Sequence, residues 1–125
     1  MPKIINYLDQ ISIHYHNLIA THGLEIQQNG DYGLKLIGKR CGIEMLTNKY
    51  YNELIVLIIN PISNKSYNIV NILDKKDLLN TPVSYFHEVE KIEDEFEKKL
   101  YMNAKEIEQN CQDILSGDFS IMEAP

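Results

Sequence analysis

"LEIQQNGDYGLKLI" (residues 24–37) is where the period of the chain changes. Before it, apolar residues recur every three to four positions; within it they alternate, Leu24 and Ile26 ahead of the centre and Leu34 and Leu36 behind it. Asn29-Gly30 stands between the two halves. That dipeptide suits a type I′ turn, whose two central residues both need positive φ. The stretch therefore predicts two antiparallel strands joined by a tight hairpin. Alternation slips between Leu36 and Ile37, with Gly38 and Gly42 flanking the slip. A one-residue shift would invert the faces of the strand, so a bulge or a tight turn is expected there.

Toward the C-terminus, Ile43 and Met45 continue the alternation in a third strand, and "NKYYN" (residues 48–52) reads as the next turn. "LIVLII" (residues 54–59) is the only continuously apolar run, which predicts a strand covered on both faces. Pro61 ends it, "ISNKS" turns, and "YNIVNIL" (residues 67–73) reads as the last strand. Connections this short favour an antiparallel meander of four or five strands. Residues 74–80 form a charged connector with room for a turn of helix.

Toward the N-terminus, Ile4, Leu8, Ile11, Tyr15 and Leu18 step by four, three, four and three, which places them on one face of a helix over residues 3–22. Gly23 ends that helix. At the other end of the chain, Thr81-Pro82 is a helix start, a capping hydroxyl followed by Pro at the first position. Phe86, Val89, Ile92, Phe96, Leu100, Ile107, Cys111 and Ile114 then keep helical spacing as far as Gly117. A straight helix over residues 82–116 would run roughly 50 Å at ~1.5 Å per residue. A compact chain of this length is only about 36 Å across. The helix must bend or break, and Tyr101 to Ala104 is its weakest stretch in propensity. The expected architecture is α+β: an antiparallel sheet of four or five strands, packed against an N-terminal helix and a long, bent or broken C-terminal helix.

A chain of 125 residues fits one domain with a core of its own, spanning residues 1–125. The start "MPKIINYLDQ" lacks a charged-then-apolar leader pattern, and the longest apolar run is far too short to span a bilayer. A cytoplasmic location follows. Cys41 and Cys111 lie outside any CxxC spacing and read as small buried hydrophobes. Arg40 beside Cys41 would favour a thiolate, but the sequence places no histidine near it. His14 and His16 are two apart on a helix and point about 200° away from each other, so they cannot share a metal. His22 sits at a helix C-terminus, where the dipole favours a partly charged imidazole. His87 belongs to no HExxH spacing. "GKRCG" is tempting as an anion nest, yet a turn between strands accounts for it. Neither catalytic residues, a metal nor a cofactor is expected.

Charge is the asymmetric feature. Residues 81–118 hold ten acids and four bases, which is the whole of the net −6. Such a field repels phosphates, so direct nucleic-acid binding is not expected. Glu90, Asp94 and Glu97 recur at steps of four and three, with Glu88 and Glu95 nearby. Like charges at this spacing weaken an isolated helix by a few tenths of a kcal/mol per pair. The run reads either as a solvated face or as a docking stripe for a basic protein, made of Glu88, Glu90, Asp94, Glu95 and Glu97.

The closing "DILSGDFS" (residues 113–120) runs an apolar helix into Leu115, Gly117, Asp118 and Phe119. Gly117 is the expected left-handed stop, and Phe119 can fold back near Leu115. This ending and the order of elements resemble small bacterial immunity proteins of polymorphic-toxin and contact-dependent growth inhibition systems. The resemblance implies a non-catalytic inhibitor that binds a cognate secreted toxin domain stoichiometrically. Its partner would be a toxin C-terminal domain, often a nuclease with a basic cleft, for which an acidic stripe is complementary. An adaptor or secretion chaperone, dimeric through apolar strand edges, is the competing class.

Overall fold

The strand–turn–strand unit forms where the alternation places it, in a computed structural model that describes residues 3–47, 53–79 and 84–123. It opens a five-stranded antiparallel sheet: β1 (Glu25–Gln28), β2 (Gly33–Ile37), β3 (Gly42–Thr47), β4 (Leu54–Asn60) and β5 (Lys65–Asn68), each paired with the next. Strict alternation assigns the two faces. Leu34, Leu36, Ile43, Met45, Val56 and Ile58 point to one side and are buried there.

The hairpin differs from a type I′ turn. Four residues, 29–32, link β1 to β2, the Asn29 N–H donates to the Gly33 carbonyl at 3.0 Å, and Gly30 but not Asn29 has positive φ. The wider loop is held from outside: its Tyr32 carbonyl accepts from Thr47 N–H at 2.9 Å, and Lys3 lies 3.8 Å from Asp31. Between β2 and β3 there is a tight turn and no bulge. Pairing runs unbroken through Ile37, and the Gly38 N–H donates to the Cys41 carbonyl at 2.9 Å. A Cβ on Gly38 would stand 3.1 and 3.2 Å from the Cys41 and His22 carbonyls and 2.7 Å from Leu24 Cδ2, so the turn is crowded there.

β4 departs from expectation in its cover. Val56, Ile58 and Asn60 are buried, whereas Leu54, Ile55, Leu57 and Ile59 are half-buried; one face is covered. The last strand is also shorter than residues 67–73. β5 stops at Asn68, whose side chain accepts from the Val70 N–H at 2.9 Å and caps α3 (Ile69–Lys75). Ile69, Ile72 and Leu73 lie at helical steps and are buried, so the period of three and four wins once the cap forms. The expected turn at residues 48–52 and the helix start at Thr81-Pro82 lie outside the described residues.

The N-terminal segment is a 3₁₀ turn (Ile4–Tyr7), α1 (Leu8–His14) and α2 (His16–His22), interrupted at Tyr15. It buries the predicted stripe, with Ile4, Ile11, Tyr15 and Leu18 in the core and Leu8 packed against it. Gly23 ends it at φ 60. The C-terminal helix breaks, but not at Tyr101–Ala104. α4 (Phe86–Glu90) is separated by four non-helical residues, 91–94, from α5 (Glu95–Asn110), and α6 (Gln112–Leu115) follows a break at Cys111. The first break is made by Asp94, which caps α5 through the Phe96 and Glu97 N–H groups at 2.9 and 3.0 Å. Residues 101–104 stay helical because Leu100, Ala104 and Ile107 are buried on one face, and packing outweighs propensity.

At the closing octapeptide, the Asp118 N–H donates to the Asp113 carbonyl and the Gly117 N–H to the Ile114 carbonyl, at 3.0 and 2.9 Å. This is the full paired-bond glycine cap, with Gly117 at φ 102, and Phe119 beyond it is buried in the same core as Leu115. Asp118 then accepts from the Ser120 N–H and opens α7 (Ser120–Glu123). Gly117→Val should therefore lower unfolding free energy by ~1 kcal/mol or more, through backbone strain. Space is not the cause, since the nearest atom, Arg40 Cβ, is 3.6 Å from the added Cβ. A thermal melt equal to the parent's would refute it.

Glu123 clasps α7 to the β4–β5 hairpin. It accepts from Asn60 Nδ2 at 2.9 Å, Ser63 Oγ at 3.0 Å and the Tyr67 hydroxyl. The Tyr67 bond is the main cause holding this carboxyl below its usual 4.5. A carboxylate with a depressed folded pKa stabilises above its unfolded value, and that contribution goes as pH falls through the folded one. Acidification below about 4.5 should thus shift the Asn60 side-chain amide resonances. No helix of the described residues is long and apolar enough to cross a membrane.

Candidate functional site

The acidic segment does not form one stripe. Glu88 and Glu90 lie on α4, Asp94 is the cap ahead of α5, and Glu95 and Glu97 stand in its first turn. The non-helical residues 92–94 break the steps of four and three, so Glu90, Asp94 and Glu97 are not stacked on a common helix face. Their partners divide them into two groups.

One group builds a polar seam between the N-terminal and C-terminal helices. The Tyr7 hydroxyl donates to Asp94 at 2.9 Å, and its ring lies 4.7 Å from that of Phe96. His14 Nε2 is 2.8 Å from Glu97 Oε2, and the His14 ring meets Tyr101 edge-on at 5.2 Å. Asn17 donates to Glu108 at 3.3 Å, and His22 meets Gln112 at 3.2 Å. The Glu97 N–H is the main cause that keeps the Asp94 carboxyl below the usual range. Burial, then the Asp94 bond, pushes the Tyr7 phenol up to about 12. Asp94 and Glu97 are thus structural: they hold α5 against α1 and α2. The His14–Glu97 pairing was not readable locally, because the two residues are 83 positions apart.

The other group faces water. Glu88, Glu90, Glu93 and Glu95 are all exposed around the α4–α5 corner. One-turn pairs engage two of them, a loose His87–Glu90 contact at 3.8 Å and a Lys98–Glu95 hydrogen bond at 3.1 Å. Exposed pairs of that kind leave the carboxylates available. Phe86, expected on the buried stripe, is instead 56% exposed, and α4 buries none of its residues. Phe86 opens α4, and the four exposed carboxylates follow it along α4 and through the link into α5, so Phe86 and Glu93 join the candidate surface. A helix that buries nothing is the signal that would have found them.

A cleft of about 340 Å³ lies elsewhere, where the ends of α2 and α6 meet the β2–β3 turn; His22, Lys39, Arg40, Leu115 and Ser116 line it. Two helix C-termini converge there, and their dipoles favour the positive side chains of Lys39 and Arg40. Ser116 Oγ is occupied by the Gln112 carbonyl at 2.9 Å. Arg40 does not activate its neighbour: burial pushes the Cys41 thiol up to about 11 and, as the first cause, the Cys111 thiol up to about 12. Among the described residues, no three His, Cys, Asp or Glu side chains come together to hold a metal ion.

No family model, curated protein or solved structure matches the chain.

Proposed function

We propose that this chain is an immunity protein, which binds a cognate secreted toxin domain in the cytoplasm and neutralises it by stoichiometric contact. The observation that carries the reading is the corner at Phe86, Glu88, Glu90, Glu93 and Glu95. There the excess negative charge of the sequence meets an exposed aromatic ring. Aromatic side chains are enriched as interface anchors, and polar groups gather at the rim around them. Carboxylates in that number favour a basic partner and speed its arrival. A nuclease toxin has such a surface, because it must hold phosphates.

The test is to purify the toxin domain encoded beside this gene and titrate it with the chain. The reading expects a one-to-one complex, loss of toxin activity at equivalence, and an association rate that falls steeply with added salt. Absence of a complex at low salt would overturn it.

A further inference from the structure

The cleft at the ends of α2 and α6 is lined by no carboxylate, in a chain with 18 acids against 12 lysines and arginines. Its cations come from the tip of the β2–β3 turn. Gly38 and Cys41 pair across that turn at 2.9 Å, which leaves Lys39 and Arg40 as its two exposed tip residues. Arg40 is fixed by its stem. Its Cβ, Cγ and Cδ lie 3.6, 3.9 and 3.9 Å from where a Gly117 Cβ would be, so its methylenes rest on the bare cap of α6. Neither Lys39 nor Arg40 has a hydrogen-bond or ion-pair partner for its charge among the described residues.

The flanking helix ends do not use these cations up. The Ile19 carbonyl accepts from the Gly23 and Leu24 N–H groups, and the Ile114 and Asp113 carbonyls accept from Gly117 and Asp118. A helix end carries at most about half a negative charge, so two ends offset about one of the two positive ones. The carboxylates nearest Ser116 in sequence are engaged elsewhere. Asp113 pairs with Lys76 at 2.8 Å, and Asp118 accepts from the Ser120 N–H at 3.1 Å.

We propose that this cleft binds a small phosphorylated compound, its terminal phosphate held by Arg40 and Lys39. The turn that accounts for "GKRCG" is also what presents the two cations. A guanidinium fork takes two oxygens side by side, and a carboxylate has no others to give. A phosphate monoester has a third oxygen for Lys39 and a charge of about −1.5 to −2 at pH 7. At about 340 Å³ the cleft is at the lower end for small-molecule sites, with room for a compact group beyond the phosphate. A nucleic-acid strand is the wrong source, because its internal phosphates carry one charge each and the acidic segment repels the flanking ones. Phosphate binding here is independent of toxin binding at the acidic corner.

Titration of the intact chain with glycerol 3-phosphate, followed by amide NMR at a constant ionic strength of ~0.1 M, tests it. Saturable shifts should appear at Gly38 to Cys41, Thr21 to Gly23 and Ser116 to Gly117, with a Kd of about 1 mM or below. Acetate should bind the same amides roughly tenfold more weakly. Lys39→Gln and Arg40→Gln should each weaken phosphate binding about tenfold and leave the melt unchanged, since both side chains are exposed and unpaired. The parent's shift map needs no variant. No saturation by ~20 mM, shifts that sodium chloride reproduces, or acetate binding equal to phosphate overturns the proposal. So does a double Gln variant that binds like the parent. An oligonucleotide without terminal phosphates that binds these amides more tightly than glycerol 3-phosphate overturns the assignment to a small compound.

Discussion

Leu100→Ala should cost about 3 kcal/mol and lower the melting temperature by roughly 10 °C. Leu100 is fully buried in the middle of α5, on the face that also buries Phe96, Ala104 and Ile107. It belongs to the same core as Val56 and Ile58 of β4. Truncation removes the transfer energy of its lost methyl and methylene groups. It also leaves a cavity between a helix and a sheet that are each fixed by other contacts. Sixteen residues form a marginal helix in isolation, so this face is what keeps α5 folded. Leu57→Ala, on the open side of the sheet, serves as the comparison and should cost far less. Urea melts of the two variants measure the difference, and equal losses would mean that α5 does not anchor the core.

The elements read best from sequence were those in which local chemistry and packing agree. Gly23 and Gly117 stop helices where the apolar period ends, both with positive φ. The N-terminal stripe and the alternation of β2 and β3 bury the expected side chains. The misreadings share one cause, which is that a short apolar run satisfies two periods. "YNIVNIL" alternates well enough for a strand, yet Ile69, Ile72 and Leu73 also fit a helix, and the Asn68 cap decides between them. At α5 the break went to Asp94 because a cap with two N–H partners is stronger than a stretch of indifferent propensity. The hairpin loop widened because its carbonyls accept from β3 and from the N-terminal turn, contacts that are distant in sequence.

For the candidate surface, composition revealed the sign and the location of the charge but not its division. Asp94 and Glu97 look like Glu88 and Glu90 in sequence. Their partners, Tyr7 and His14, come from the other end of the chain and turn them into parts of the scaffold. Phe86 shared the helical spacing of the core and was counted with it. Its exposure follows from the break at residues 92–94, which frees α4 from the face that α5 buries.

That division sets the outcome of reversing charge at the corner. Glu88→Lys, Glu90→Lys and Glu93→Lys together change the formal net charge from −6 to 0, since each replacement adds two units. The three side chains are exposed, and Glu90 makes a loose contact with His87 at 3.8 Å. Pairs of that kind contribute at most about 1 kcal/mol, so the melting temperature should stay within a few degrees of the parent's. Under the proposed function, binding responds far more. Steering by a concentrated field changes association rates by roughly 10 to 10³, so the toxin should associate about a hundredfold more slowly at low salt. Raising the salt should shrink the gap between variant and parent, because screening removes the advantage that the parent held. Asp94→Lys is the contrasting variant: it removes the α5 cap, costs ~1 kcal/mol, and therefore registers in the melt. Stopped-flow association with the toxin domain, read beside thermal melts, separates the two classes of carboxylate. A triple variant that binds at the parental rate would leave the corner as a solvated surface and put the contact elsewhere on the protein.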